Sequence, residues 1–376
     1  LEEKDKTPQH IAWDVQAARK DGYKHFMLKE IFEQPKVVRD CLAGRIQRGR
    51  VTLPELEDMP VPDRLTIVAC GTSYHAGLWA KYLLEAWARI PVQVEIASEF
   101  RYRDSVFLPG DAVLTISQSG ETADTLAAIR IAREAGTPIL GLCNVVGSSI
   151  ARESDRVVYT QAGPEISVAS TKAMCSQMVL LLLMALFWGD RKKTLPTDVR
   201  ERCLEALTRL PDILEAQLPA LRDRAGKLSQ EYADARSFFF LGRGLYFPLA
   251  MEGALKLKEI SYIHAEGYAA GEMKHGSIAL IDAHFPTFAM ALNDELLQKV
   301  ASNLQEVQAR GGRVIALVNP GASLDADDPW VLPEVWGPLK SFLVLPAVQL
   351  FAYETAVYLG KDVDQPRNLA KSVTVE

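Results

Sequence analysis

The sequence predicts an α/β protein made of two tandem copies of one unit, each a parallel sheet flanked by helices, followed by an irregular C-terminal tail. Two observations carry this expectation. From Arg64 onward, short apolar runs rich in β-branched residues alternate with segments of helical periodicity, the pattern of strands buried in a helix-covered parallel sheet. The same order then recurs. Phe238-Phe239-Phe240-Leu241-Gly242 matches the run ending in Cys70-Gly71, residues 285–291 match the run from Ala112, and residues 314–319 match 139–144. Gly71 recurs as Gly242 and Asn144 as Asn319, at offsets of 171 and 175 residues, a near-constant spacing that marks a duplication.

In chain order, residues 1–21 are charged and aperiodic. Residues 24–48 place Met27, Ile31, Val37, Val38, Leu42 and Ile46 at helical spacing, which predicts two helices hinged at Pro35. Three prolines make 54–63 a loop. In the first copy we expect strands at 65–69, 92–96, 112–116, 139–143 and 157–160, with helices at 76–89 and 123–135. The stretch 196–234, with Leu204, Leu207, Leu210 and Leu214, is a charge-rich helical connector. The expected division is 1–63 (N-terminal extension and helices), 64–195 (first unit), 196–235 (connector), 236–360 (second unit) and 361–376 (tail). The tail has no period of its own, and such ends are ordinarily solvated and mobile.

A chain of 376 residues, 48% hydrophobic and 24% charged, is long enough for two cores and reads as soluble and globular. Its formal net charge of −6 argues against a nucleic-acid or anionic-membrane surface, either of which needs a basic face. Five scattered cysteines, Cys41, Cys70, Cys143, Cys175 and Cys203, suit a reducing cytoplasm and have no metal-binding spacing. The apolar run Met178 to Trp188 is too short to span a bilayer and reads as a buried helix. No signal peptide is expected, and Leu1 in place of Met suggests a piece of a longer protein.

The chemistry begins at Ser117-Gln118-Ser119-Gly120-Glu121-Thr122, which follows a buried strand and precedes a helix. Free N–H groups and hydroxyls at the positive end of a helix dipole suit an oxyanion. No Lys follows the Gly, so the turn is not a nucleoside-triphosphate loop, and the plainer alternative is that Ser119 or Thr122 caps the helix. Cys70-Gly71-Thr72-Ser73 ends the first strand, and turns of a parallel sheet open on one edge, so Ser73 and Ser117 to Thr122 are expected to share a pocket. Where the first copy has hydroxyls, the second has Ala291-Leu292-Asn293-Asp294-Glu295, whose carboxylates would repel phosphate, so one anchor site per chain follows. Gly242-Arg243-Gly244 is only a weak match to a dinucleotide fingerprint.

Glu252, Lys256 and Glu259 are spaced by four and three and share a helix face. On most helices that is an exposed ladder of ion pairs. The following stretch shifts the balance: His264, Glu266, Glu272, Lys274 and His275 fall in a Gly- and Ala-rich segment that looks like a loop dense in proton-carrying groups. A metal site from His264 and His275 lacks a third ligand.

With these residues in view, the chain from about Asp21 to Glu376 resembles the isomerase half of the glutamine:fructose-6-phosphate amidotransferases, the glucosamine-6-phosphate synthases. The resemblance rests on Cys70-Gly71-Thr72-Ser73, Ser117 to Thr122, Val168-Ala169-Ser170-Thr171-Lys172, Glu252 to Ile260, Lys274-His275-Gly276 and the ending from Gln365 to Glu376. It implies a pair of sugar isomerase (SIS) domains and no cofactor. It implies fructose 6-phosphate as substrate, its phosphate held by Ser73, Ser117, Gln118, Ser119 and Thr122, with Val168, Ser170 and Ala370 against the sugar. Lys371 is implied to form a Schiff base with C2, which raises the tail to a catalytic segment; a neutral amine is then needed, and desolvation or nearby cations are expected to favour it. His275, supplied by the neighbouring subunit of a homodimer, would assist ring opening, Glu259 would move a proton between C1 and C2, and Lys256 would support charge at O1 and O2. The product would be glucosamine 6-phosphate, with ammonia from a glutaminase domain whose nucleophilic Cys has no counterpart here before Cys41. Ketose to aldose isomerisation to glucose 6-phosphate is expected to remain. Ser277 stands where the family pattern has Pro, leaving the backbone beside His275 less constrained. The competing readings are a non-catalytic sugar-phosphate sensor built from the same domains and a dinucleotide-dependent enzyme.

Overall fold

The structure, a computed structural model, describes residues 19–292 and 294–372, so the expectations for 1–18, Asn293 and 373–376 lie outside the described residues. The apolar spacing at 24–48 resolves into helices α1 (Phe26–Phe32) and α2 (Gln34–Leu42), which break at Glu33. Pro35 falls in the first turn of α2, where its missing N–H leaves no bond unmade. A short antiparallel hairpin of β1 (Ile46–Gln47) and β2 (Arg50–Val51) leads to the first sheet.

That sheet contains β3 (Arg64–Ala69), β4 (Val92–Ile96), β5 (Asp111–Ser117), β6 (Ile139–Cys143) and β7 (Arg156–Tyr159), all parallel, in the order β4-β3-β5-β6-β7. Between them run α3 (Gly71–Leu83), α4 (Ala97–Phe100), α5 (Ala123–Glu134) and α6 (Ser149–Glu153). Two long helices follow, α7 (Lys172–Lys192) and α8 (Thr197–Glu231). The second sheet is built from β8 (Ser237–Gly242), β9 (His264–Ala269), β10 (Thr287–Met290), β11 (Val314–Val318) and β12 (Asp328–Val331), with α9 (Phe247–Ser261), α10 (Leu297–Gln308) and α11 (Ser341–Tyr358). Its order, β9-β8-β10-β11-β12, repeats that of the first strand for strand. The duplication seen as a residue offset is thus a duplication of topology.

Strand alternation divides the interior. Leu65, Ile67 and Ala69 of β3 enter a central core that also takes Phe238, Phe240 and Phe288 of the second sheet, while Val68 and Val113 face an outer core with Ile129 of α5. Phe239, Leu241 and Ala289 face the matching outer core of the second sheet. α7 and α11 run through the central core. By length and composition both Lys172–Lys192 and Gly337–Tyr358 could cross a membrane, yet 94% and 83% of their apolar windows are buried inside the protein. The buried helix predicted at 178–188 is therefore longer than expected, and it is apolar all round because protein surrounds it. The connector is the single helix α8, whose Leu204, Leu207, Leu210 and Leu214 are buried.

Several expectations need correction. The helix expected from residue 76 starts at Gly71, because Cys70 is extended and Gly71 takes a φ of +52°, a reversal a side chain would resist. The segment at 264–275 is not a loop: it is the edge strand β9 and a short 3-10 helix, Ala270–His275. Gly267 makes this possible, since a Cβ there would lie 2.5 Å from the Met251 Cα on α9. The described part of the tail is not loose. Val363 is fully buried, and the Asp364 carboxylate accepts the N–H groups of Phe26 (3.0 Å) and Met27 (2.9 Å), capping α1. The guanidinium of Arg367 lies 4.3 Å from the Tyr262 ring centre, and its backbone N–H donates to the Tyr262 hydroxyl at 2.9 Å.

Candidate functional site

In a sheet ordered as the first one is, the connections leaving β3 and β5 depart to opposite faces, and a crevice opens at their carboxyl ends. Here α3 packs toward α7 and α9, whereas α5 lies on the outer core. The crevice is a cavity of about 490 Å³, within the size range of small-molecule sites. It is lined from β3 and α3 by Thr72 and Ser73, from the β5 turn by Ser117, Gln118, Ser119 and Thr122, and from α9 by Lys256 and Glu259. Val168 and Ser170 from the loop before α7, with Ala370 and Lys371 from the tail, complete the wall.

The β5 turn is built to present hydroxyls. Gly120 has a φ of +68°, and a Cβ on it would lie 2.0 Å from the Ser148 hydroxyl, so only glycine lets the turn close. Ser117 Oγ accepts the Gly120 N–H at 2.9 Å and Ser119 Oγ accepts that of Glu121 at 3.2 Å. Thr122 is the N-cap residue of α5 by backbone, but its hydroxyl makes no capping bond; it lies 3.3 Å from Ser117 Oγ. Capping is therefore not what this hydroxyl does. Ser73, in the first turn of α3, is held by Gln177 Nε2 at 2.9 Å from the buried α7.

The ladder on α9 is the reverse of a solvent-exposed one. Glu252 and Lys256 have no side-chain exposure and Glu259 has 22%. Lys256 Nζ lies 2.6 Å from Glu259 Oε2 and 3.4 Å from Glu252 Oε1, while Glu252 also receives the Thr72 hydroxyl at 3.1 Å and lies 2.8 Å from His75 Nδ1. Burial alone would lower the Lys256 pKa, but the carboxylates of Glu252, Glu259 and Glu165 outweigh it and raise it, so the buried ammonium stays charged. α9 is drawn inward because Gly253 seats against the Phe240 ring, where a Cβ would lie at 2.7 Å.

At Lys371 the tail meets the loop before α7 through an ion pair and a hydrogen bond. Lys371 Nζ is 2.6 Å from Glu165 Oε2 and donates to the Ser167 carbonyl at 2.8 Å. The closest charged partner of this amine is thus a carboxylate, while the Lys256 ammonium lines the same cavity and acts on that carboxylate. Burial pushes the Glu165 carboxyl up, but the Lys371 ammonium and the N–H groups of Thr171 and Ala173 prevail and hold it below the ordinary value. Glu30 of α1 lies behind, accepting the N–H groups of Ile166 (2.5 Å) and Ser167 (3.1 Å), and its buried Oε2 has no partner. Burial, and then the Glu165 charge, push Glu30 up to about 8.

One predicted residue stands apart. His275 is exposed at the end of its 3-10 helix and does not line the cavity of its own chain. Gly242-Arg243-Gly244 is accounted for by packing: a Cβ on Gly242 would lie 2.2 Å from the Tyr246 carbonyl oxygen, and Arg243 binds Asn303 Oδ1 at 3.0 Å. Among the described residues no cluster of His, Cys, Asp or Glu is arranged to hold a metal ion. Sequence reasoning missed Ser98, Asp124, Glu165 and Glu30. Asp124 was detectable as an acid in the first turn of α5, and it lines the cavity while paired with Arg101 at 2.8 Å.

The profile of the SIS domain matches residues 61–187 and 231–329, which together take in most of both sheets. The glutamine–fructose-6-phosphate aminotransferase [isomerizing] of Pseudomonas syringae pv. tomato is 52% identical over 96% of this chain, and that of Clostridium acetobutylicum 46% identical over 99%. The chain spans 61% and 62% of the length of these relatives, respectively. The C-terminal domain of glucosamine-fructose-6-phosphate aminotransferase from Francisella tularensis superposes with a TM-score of 0.88 at 43% identity, covering 92% of this chain and all of that one. The chain belongs to the SIS domain family, as a tandem pair, within the branch formed by the C-terminal domains of these aminotransferases.

Proposed function

We propose that the chain is the isomerase half of a glucosamine-6-phosphate synthase. It binds fructose 6-phosphate with the phosphate against Ser73, Ser117, Gln118, Ser119 and Thr122 and the sugar against Val168, Ser170 and Ala370. The supporting observation is that three segments remote in sequence, the β5 hydroxyl turn, α9 and the tail, wall one cavity that holds hydroxyls, a carboxylate and two lysine amines together. Lys371 condenses with C2 of the opened ketose. Glu259 carries a proton between C1 and C2, and Lys256, charged and out of solvent, stabilises negative charge on the sugar oxygens. The exposed position of His275 supports a site completed by the neighbouring subunit of a homodimer, where it would open the sugar ring.

Ammonia from a glutaminase domain in the full-length protein, acting in the cytoplasm, would give glucosamine 6-phosphate. Without ammonia, glucose 6-phosphate is the expected product. A coupled glucose-6-phosphate assay should give a steady rate with this chain and none with Lys371→Ala; equal rates from the two proteins would defeat the reading.

A further inference from the structure

Lys371 approaches the cavity in contact with a carboxylate that never reaches it. Glu165 has no side-chain exposure and does not line the cavity, yet its Oε2 is 2.6 Å from Lys371 Nζ. Its other oxygen is fixed by the N–H groups of Thr171 (2.9 Å) and Ala173 (3.0 Å) at the start of the 21-residue helix α7. A carboxylate so anchored cannot follow the lysine into the cavity; it can only exchange a proton with it and set its position. Of the surrounding charges, Glu30 on α1 and Lys256 on α9 act on this pair, and Lys172 at the start of α7 is engaged with Glu33 at 2.6 Å.

Resting on the assignment of Lys371 as the imine-forming amine, we propose that Glu165 is the positioning residue that takes the proton from Lys371 and returns it, through the lysine nitrogen, for the departure of water. The ammonium gives one proton to the Glu165 carboxylate, and the freed nitrogen pair forms the N–C2 bond as the carbonyl π pair moves to oxygen. A second nitrogen proton passes to that oxygen, giving a carbinolamine. Glu165 then returns its proton to the carbinolamine nitrogen, a nitrogen proton passes to the hydroxyl, the C–O bond breaks with loss of water, and the remaining nitrogen pair closes the protonated imine. The lysine ammonium and ketose become iminium and water, and Glu165 ends as the carboxylate it began as.

The test is the rate of borohydride trapping of fructose 6-phosphate on the whole chain, wild type against Glu165→Gln. Gln retains an oxygen for the two α7 N–H groups and removes only the proton acceptor. At pH 7 trapping and kcat should fall at least tenfold with KM unchanged, and the gap should narrow as pH rises and hydroxide replaces the missing proton acceptor. Trapping as fast as wild type at pH 7, or equally slow at every pH, would overturn the proposal. If Glu165→Gln does not fold, Glu165→Asp, which draws the carboxylate back by one methylene, should trap more slowly than wild type with unchanged KM; an unaltered rate would overturn it. Absence of trapping in the wild type would instead count against the imine assignment itself.

Discussion

At the scale of single residues the site depends on charges kept out of water by pairing. Lys256 remains an ammonium at zero exposure because Glu252 and Glu259 flank it, and removing it as Lys256→Met should abolish isomerisation and destabilise the fold by a few kcal/mol, the usual result of orphaning a buried carboxylate. Urea unfolding and the coupled assay measure the two effects; a variant of unchanged stability would mean that Glu252 is satisfied by His75 and Thr72 alone. Glu30 carries a sharper signature. Its carboxyl, raised from 4.5 to about 8, binds a proton in the fold that the unfolded chain has released, so stability falls as pH rises through that window. Glu30→Gln keeps acceptors for Ile166 and Ser167 but cannot titrate, so its Tm should decline less than wild type between pH 5 and pH 8, by several degrees. Parallel profiles would show that Glu30 is not protonated in the fold.

At the scale of elements the tail is the segment whose structure differs most from the expectation for an aperiodic terminus. Asp364 caps α1 while the Asp364 carbonyl receives the Val168 N–H at 3.0 Å, so one residue ties the tail to both the N-terminal helix and the loop that lines the cavity. Asp364→Ala should lower stability by about 1–2 kcal/mol through the lost cap and speed trypsin cleavage after Arg367, with kcat falling more than KM rises. Unchanged cleavage would mean that Tyr262 alone holds the tail. None of this was visible in the residues after Gly360, because the anchor at Asp364 acts on helix N–H groups more than 330 positions earlier. The same limit explains the exposed ladder expected on α9 and the loop expected at 264–275. Spacing showed that Glu252, Lys256 and Glu259 share a face, but only the packing of α9 on α3 decides that the face is buried. The hydroxyl turn was readable because Gly120, Ser117 and Thr122 are local to one strand-to-helix junction. Glu165 and Glu30 were not, since 135 residues separate them and neither belongs to a local pattern.

At the scale of the molecule the duplication was legible from three matched strings, which became β3 and β8, β5 and β10, and β6 and β11 in two sheets of identical strand order, while β9, read as a loop, and β12, not anticipated, complete the second sheet. What the duplication does not show is its division of labour. The first copy carries the hydroxyl turn at its switch point, and the second supplies α9 and, beyond it, the tail, so one site is assembled from both copies. Cys70 reports on that site. It is half-buried against the cavity, and although burial raises its thiol as well, the Cys41, Cys143 and Cys203 thiols are buried and pushed up to about 12 and Cys175 well above its ordinary value. Mass spectrometry after brief iodoacetamide treatment should find Cys70 modified first and protected by fructose 6-phosphate; labelling indifferent to the sugar would place the ligand elsewhere.

The proposed reaction requires the tail amine to bond to a ketose whose phosphate is held by the β5 turn. Borohydride reduction in the presence of fructose 6-phosphate, followed by peptide mass spectrometry, addresses it directly. A hexitol phosphate is expected on the Lys371 peptide, lost in Lys371→Ala and weakened in Ser119→Ala. No adduct, or an adduct on another lysine, would contradict it.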